Sequence, residues 1–506
     1  MFIKLRYLLS SLLLITFYSF GEEISWDVGL TSDREVISAK GILKKNDSPT
    51  ILYLAGLTGP SKSAPSIESL FEDYARATDG SGPNLIIIPL ANPQGEPLKF
   101  PPEGNAYSEN TVSHVLWRWI GTHAPDLIIL DGGEDYGFAE AVESHGIAGF
   151  GTIPVSRVTE TNTNVSFLKS INDLQSSIAR SELERRVART PRGLAEQLAV
   201  VYGHDFSSPV YVPGMSLIGR LRLGYEDDVD GLIEPYLKGE TIEITNASTL
   251  AGQLVFAQHY ETTGNEESLR LILEAAELAF DENGDPLEAA PMHNEMSDSF
   301  FMATPLLVKA GKFTDNRKYY DMAALHVIYM RDLLLRPNGL YRHSPEADVA
   351  WSRGNGFAAL GLALALTDFP KELPTRDIIL GFLAEQLTAL LPYQDSDGMW
   401  HEVIDYPGSF AEITSTAMIG TAIKRGLDQG WLSEEIFRPA LQKAWYAVKV
   451  RTSFEGVFVN ACTSTGKMAS LDAYLDRLAI FNTDDRAGGM VMNFSIEMAN
   501  LKREIY

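Results

Sequence analysis

A single cysteine, Cys462, stands in 506 residues, so no disulfide can form within the chain. Basic residues are scarce too: 42 lysines and arginines face 67 aspartates and glutamates, a formal net charge of −25. The basic footprint that nucleic-acid binding requires is missing, although a pocket with one or two arginines can be locally positive on an acidic protein. Long apolar runs are few. The one from Tyr7 to Phe20 follows Lys4 and Arg6, is shorter than a usual membrane span, and leads into Gly21-Glu22-Glu23. Residues 1–21 are therefore expected to be a cleaved export signal, with no membrane attachment afterwards. Export without disulfides suits a bacterial periplasm or secretion.

What remains is the composition of an ordinary globular chain, 45% hydrophobic and 22% charged, long enough for two or three domains. In residues 22–155 the apolar runs Ile51–Ala55, Leu85–Pro89 and Leu127–Leu130 alternate with helical stretches. This pattern predicts an α/β domain with a mostly parallel sheet. Ligands of such sheets sit at the carboxyl ends of strands. Those ends are Gly56-Leu57-Thr58-Gly59, Asn92-Pro93-Gln94-Gly95 and Asp131-Gly132-Gly133-Glu134. The three loops resemble the zinc carboxypeptidase and deacylase superfamily. Asn92–Gly95 keeps one of its elements, but Thr58, Ser61 and Asp131 stand where the resemblance would put the metal-binding histidine, glutamate and histidine. It implies a relative that has lost its metal. Simple glycine-rich turns are the alternative.

Residues 156–213 are expected to be a linker with connecting helices. From residue 214 to 506 the strand signal fades and helical periodicity recurs, as in Leu250, Leu254, Ala257 and Tyr260. The loops repeat: Asn338-Gly339-Leu340-Tyr341 aligns with Asp397-Gly398-Met399-Trp400 and Glu455-Gly456-Val457-Phe458, and Asn283-Gly284 opens a weaker copy. A period of about 57 residues means one helical hairpin per repeat, with every long loop at one end. Over residues 214–506 that predicts an all-α six-hairpin α/α toroid; an open solenoid is the competing architecture.

Those loops hold the chemistry. They supply His293, Glu295 and Asp298, then Tyr341, His343, Trp351, Arg353 and Asn355, then Asp395, Trp400, His401 and Glu412. Aromatics beside carboxylates and histidines are what sugar binding uses. Each has a plainer reading. Asp298 can be a helix cap, Trp351 and Trp400 can plug the toroid, His343 and His401 can be satisfied structural groups, and Arg353 can cap a turn or grip a carboxylate. Glu412 reads best as an acid favoured at a helix N-terminus.

Four motifs then occur in order: Met296-Ser297-Asp298-Ser299-Phe300-Phe301, Trp351-Ser352-Arg353-Gly354-Asn355-Gly356-Phe357, Gly398-Met399-Trp400-His401, and Ser409-Phe410-Ala411-Glu412-Ile413-Thr414-Ser415-Thr416-Ala417-Met418. Over roughly residues 215–504 they resemble the unsaturated uronyl hydrolases, glycoside hydrolase families 88 and 105. The resemblance implies a toroid that takes 4,5-unsaturated uronic acid off lyase-generated oligosaccharides, with no metal or organic cofactor. It implies Asp298 as the catalytic acid. His293, Tyr341, His343, Trp351, Arg353, Asn355, Trp400 and His401 are the expected substrate-binding residues. The chain departs from the family at Thr245-Asn246-Ala247-Ser248, where a second aspartate is expected, and at Phe357, where one branch has tryptophan. A polysaccharide lyase or uronidase on the same toroid, or an inactive carbohydrate-binding protein, are the other functions the residues allow.

Overall fold

The computed structural model describes residues 22–44, 48–60, 63–77, 82–158, 164–171 and 174–500. The expected export signal and Ser61 lie outside the described residues. No helix among those described is long and apolar enough to cross a membrane.

The N-terminal region is built on one six-stranded sheet. Its strands are β1 (Glu22–Leu30), β2 (Val36–Leu43), β3 (Thr50–Leu54), β4 (Asn84–Ile88), β5 (Leu127–Asp131) and β6 (Val155–Val158), in the order β1-β2-β4-β3-β5-β6. Neighbours from β4 to β6 are parallel, but β1 pairs antiparallel with β2, and β2 with β4. The sheet is therefore mixed. β3 and β4 are buried along their whole length and read as continuous apolar runs, whereas β2 alternates exposed and buried residues, as a strand with one wet face does. Helix Thr111–His123 packs its apolar side on one face of the sheet, and Ile67, Phe71 and Tyr74 of helix Ser63–Ala77 cover the other.

At the strand ends Thr58 is exposed. Asn92 is buried, and its amide donates to the carbonyls of Leu57 and Glu96, each at 2.8 Å. This asparagine ties two loops together. Among the described residues no three His, Cys, Asp or Glu side chains are placed to hold a metal ion.

The C-terminal region is an α/α toroid. Helices Tyr211–Leu223, Leu254–Thr263, Thr304–Thr314, Ser352–Asp368, Ile413–Asp428 and Asp485–Met498 pack each on the next, and the last returns to the first. One continuous apolar core fills the space between them and the helices outside. Helix Pro191–Val201, within the expected linker, packs against Asp485–Met498, so the toroid's packing begins before residue 214.

The sequence repeat is one turn built four times. The N–H groups of Gly284, Gly339, Gly398 and Gly456 donate to the carbonyls of Asp281, Arg336, Asp395 and Ser453. Each of these four residues donates its own N–H to the residue after the glycine. All four glycines have positive φ, between 76° and 97°, a region that disfavours any side chain. Each turn reverses the chain after an outer helix and sends a loop back to the next inner helix.

The two regions share a core. Leu30 of β1 packs in one apolar cluster with Val349, Trp351, Val403, Phe410, Cys462 and Tyr474 of the toroid loops. Tyr107 stacks on Phe410 with ring centroids 5.2 Å apart. Arg118 donates to Asn460 Oδ1 at 2.7 Å and to the Ala479 carbonyl at 2.9 Å.

Candidate active site

The loop before Asp298 is strained into place. Met292, Asn294 and Glu295 all have φ between 49° and 63°. The Ser297 N–H donates to the His343 carbonyl at 2.9 Å and locks this loop to the next. Asp298 stands at the N-cap of the short helix Ser299–Met302, yet its side chain makes no cap bond. The carboxyl is 7% exposed, and Oδ2 lies 3.1 Å from His343 Nε2. The pair lacks the alignment of a hydrogen bond, so both atoms are buried without a hydrogen-bond partner. Nδ1 of His343 lies 2.8 Å from the Tyr474 hydroxyl. Asp298, His343 and Tyr474 thus form a line of three groups able to hold or pass a proton. Its direction depends on which imidazole nitrogen carries hydrogen.

Trp351 floors this line. Its ring centroid is 4.4 Å from that of His343, and the Arg353 guanidinium sits 4.9 Å over it. Arg353 donates through Nη1 to the Cys462 carbonyl at 2.7 Å and through Nη2 to the Thr463 carbonyl at 2.6 Å. Burial works against its charge, but Cys462, Tyr211, Glu412 and Asp298 facing it hold its pKa above the ordinary value. Two of five N–H groups are used, so the fork remains able to meet an anion.

Five expected substrate contacts have another task. Trp400 is fully buried and its indole N–H donates to the Leu390 carbonyl at 2.8 Å. It plugs the toroid and shows no face to a ligand. Asn355 is fully buried, accepts from the Tyr341 N–H and donates to the carbonyls of Tyr341 and Trp351, so its amide is saturated with main chain. Tyr341 packs in the core against Phe300. His401 turns away toward a cavity of about 230 Å³ between the two regions, lined also by Trp26, Tyr107 and Arg118, and it bonds Asp395 at 2.9 Å. His293 is half-buried, edge-on to Tyr329, and accepts the Glu295 N–H at 2.9 Å, which fixes the loop. Burial lowers its pKa. The structure brings together Asp298, His343, Trp351 and Arg353.

Other residues join them that the motifs did not indicate. Tyr474 comes from the fourth loop, which the repeat foretells but in which no motif stands. Tyr211, at the start of the first inner helix, faces Arg353 and Asp298; burial first, and Asp298 after it, raise its pKa. Glu412, which the fourth motif does contain and which was expected at a helix N-terminus, caps helix Ile413–Asp428, accepting the N–H groups of Thr414 and Ser415, and also takes that of Cys462. Glu402 lies beside Trp351 and Arg353, fully buried. Asn246, where a second acid was sought, is an exposed cap in a reciprocal box with Thr249.

The chain is 24% identical to the unsaturated rhamnogalacturonyl hydrolase YesR of Bacillus subtilis over 276 residues, covering 53% of this chain and 74% of that one. It is 29% identical to an unsaturated 3S-rhamnoglycuronyl hydrolase of Formosa agariphila over 171 residues, covering 30% and 45%. A family 105 glycoside hydrolase of C. acetobutylicum has a similar fold, with a TM-score of 0.54 at 18% identity, over 62% of this chain and all of that one. The model of glycosyl hydrolase family 88 matches residues 229–502, the stretch that carries every loop of the site, and to that family the chain belongs.

Proposed function

We infer that this protein removes the terminal 4,5-unsaturated uronic acid from oligosaccharides left by polysaccharide lyases. The observation that carries the reading is the Asp298 carboxyl, buried, free of cap duty and 3.1 Å from His343 Nε2, on a loop beside Arg353. The names of the relatives from Bacillus subtilis and Formosa agariphila support it. We read the toroid as six inner and outer helix pairs, with four consecutive loops walling the site. The expected signal over residues 1–21 would put the reaction in the periplasm or outside the cell.

The substrate is a cyclic vinyl ether bearing a carboxylate. Asp298 in its acid form gives a proton to C4, and the electron deficiency moves to C5 and the ring oxygen. Asp298, now a carboxylate, takes a proton from the water that attacks C5. The hydroxyl gained at C5 makes a hemiketal. Its ring opens to a ketone at C5, and the hemiacetal left at C1 collapses to an aldehyde and releases the rest of the oligosaccharide. Proton transfer and water suffice, so no metal or organic cofactor is needed. His343, held by Tyr474, orients the Asp298 carboxyl, and Arg353 meets the uronate. This differs from two-carboxylate cleavage at the anomeric carbon.

The test is a panel of lyase-digested polysaccharides, followed by the ultraviolet absorbance of the double bond. Wild type should consume it. Asp298→Asn should keep the fold by circular dichroism and lose about 10²–10⁴-fold in turnover. Near-native turnover would remove Asp298 from the mechanism. Absorbance gained from an intact polysaccharide would mean a lyase, with Tyr474 or His343 as its base.

A further inference from the structure

Glu402 is the buried acid that this chemistry leaves unused. It follows the short strand β7 (Trp400–His401), which pairs with β8 (Ala411–Glu412). Its main chain is fixed on both sides: the N–H donates to the Phe410 carbonyl at 2.7 Å, and its carbonyl accepts from Ser352 N–H at 2.9 Å. Side chains alternate along an extended chain. His401 faces the cavity between the two regions, and Glu402 faces the other way, among Trp351, Arg353 and Glu412.

Two fully buried carboxyl groups therefore stand near one guanidinium, and their surroundings differ. Glu412 accepts from the N–H and hydroxyl of Thr414, from Ser415 N–H at 2.6 Å and from Cys462 N–H at 3.0 Å. Neither oxygen of Glu402 has a well-aligned hydrogen-bond partner; the one donor that faces it is the Trp351 indole N–H, itself otherwise unpartnered. A buried carboxyl met by a single misaligned N–H takes up a proton rather than remain a poorly solvated anion.

We propose that Glu402 sets the site's preference for anionic sugars: kept as the neutral acid, it adds no negative charge beside Arg353, so that the guanidinium can still attract a uronate. This rests on the uronide-hydrolase reading. An ionised Glu402 would put its own negative charge beside Arg353 and repel the substrate. The charged and titratable groups facing it are Arg353 from helix Ser352–Asp368, Glu412 from β8, Cys462 from β9 (Phe458–Cys462), and Tyr474 and Arg477 from the loop that follows. Burial, then Glu412, push the Glu402 pKa well above the ordinary carboxyl value; Arg353, Arg477 and the Trp351 indole N–H pull the other way.

The experiment compares wild type with Glu402→Gln, which keeps the shape and cannot ionise. KM for an unsaturated disaccharide should agree between the two at acid pH. As pH rises through the Glu402 ionisation, wild-type KM should climb on the order of tenfold relative to the variant, with little change in the kcat ratio. Parallel KM profiles would overturn the proposal. A second readout needs no substrate. The unfolded chain loses this proton near the ordinary pKa of about 4.3, and the folded chain only at higher pH. Wild-type stability to urea, relative to Glu402→Gln, should therefore fall as pH rises between those two values. Glu402→Leu should remove the same slope should the amide disturb the fold. A flat difference against both variants would show that Glu402 is not held neutral, whatever the enzyme turns over. A sloping difference with no turnover of any unsaturated uronide would instead defeat the substrate reading and Glu402's role in it.

Discussion

Gly354 shows how tightly the site residues are set. A Cβ there would stand 2.3 Å from Ser297 Oγ and 3.4 Å from His343 Cδ2, so only glycine lets Arg353's helix begin against the Asp298 loop. Arg353 is held by two carbonyls and still has donors to give. Arg353→Lys should weaken binding of unsaturated uronides by about 1.5–3 kcal/mol, because one ammonium cannot replace a planar fork. Neutral glycosides should change little. Inhibition constants for the two ligand types, at one ionic strength, make the comparison. Equal losses would mean that Arg353 only anchors residues 462–463. Asp298, His343, Trp351 and Arg353 were legible because they stand in loops whose place the repeat fixes. Glu402 was not. A glutamate beside a histidine in a loop reads as a solvated acid, and only the pairing with Phe410 and Ser352 turns it inward. Trp400 and Asn355 misled for the converse reason, since an aromatic or amide that completes a core has the same residue type as one that holds a sugar.

At the scale of elements, the four equivalent turns were the clearest signal in the chain, because a positive-φ glycine after a helix leaves a trace in sequence. They do not bear substitution equally. A Cβ on Gly284 meets nothing within 4 Å, whereas one on Gly398 would lie 2.4 Å from the main chain of Lys443. Gly284→Ala should therefore destabilise by roughly 1–2 kcal/mol, for the left-handed backbone alone. Gly398→Ala should lose about 2–5 kcal/mol, since crowding adds to it. Urea unfolding of both variants measures the difference; equal losses would mean that Lys443 yields without strain. Strands β1 and β2 escaped the reading because a half-wet hairpin has no continuous apolar run. β9 escaped because its strand partner, β10 (Ala479–Asn482), lies beyond an intervening loop.

At the scale of the whole molecule, the sheet and the toroid were foreseen as separate bodies, and their union was not. Nothing local in Leu30, Tyr107 or Arg118 marks them as contacts for Phe410, Asn460 or Trp351; the match exists only between two finished surfaces. The tip of the β1–β2 hairpin also reaches the segment that covers the site, where Arg34 donates to the Leu475 carbonyl and pairs with Asp476. The same segment sends Tyr474 to His343, and Lys467 joins it to Glu295 at 3.1 Å on the Asp298 loop.

The carbonyls of Cys462 and Thr463 already occupy two donors of Arg353, the residue proposed to meet the uronate. Arg353 is only 2% exposed, so docking under the proposed function would need the chain over it to move. The free donors of Arg353 would then take the carboxylate as the chain leading from Cys462 to Tyr474 swings outward. The timing of the encounter then belongs to the protein. In stopped flow, the observed rate of capture by Asp298→Asn should level off with increasing oligosaccharide, at the rate of that shift, instead of rising in proportion. Arg34→Ala, which releases the far end of the segment, should raise the plateau. A strictly linear rise in both proteins would mean that the sugar finds its way in while every one of these bonds stays made.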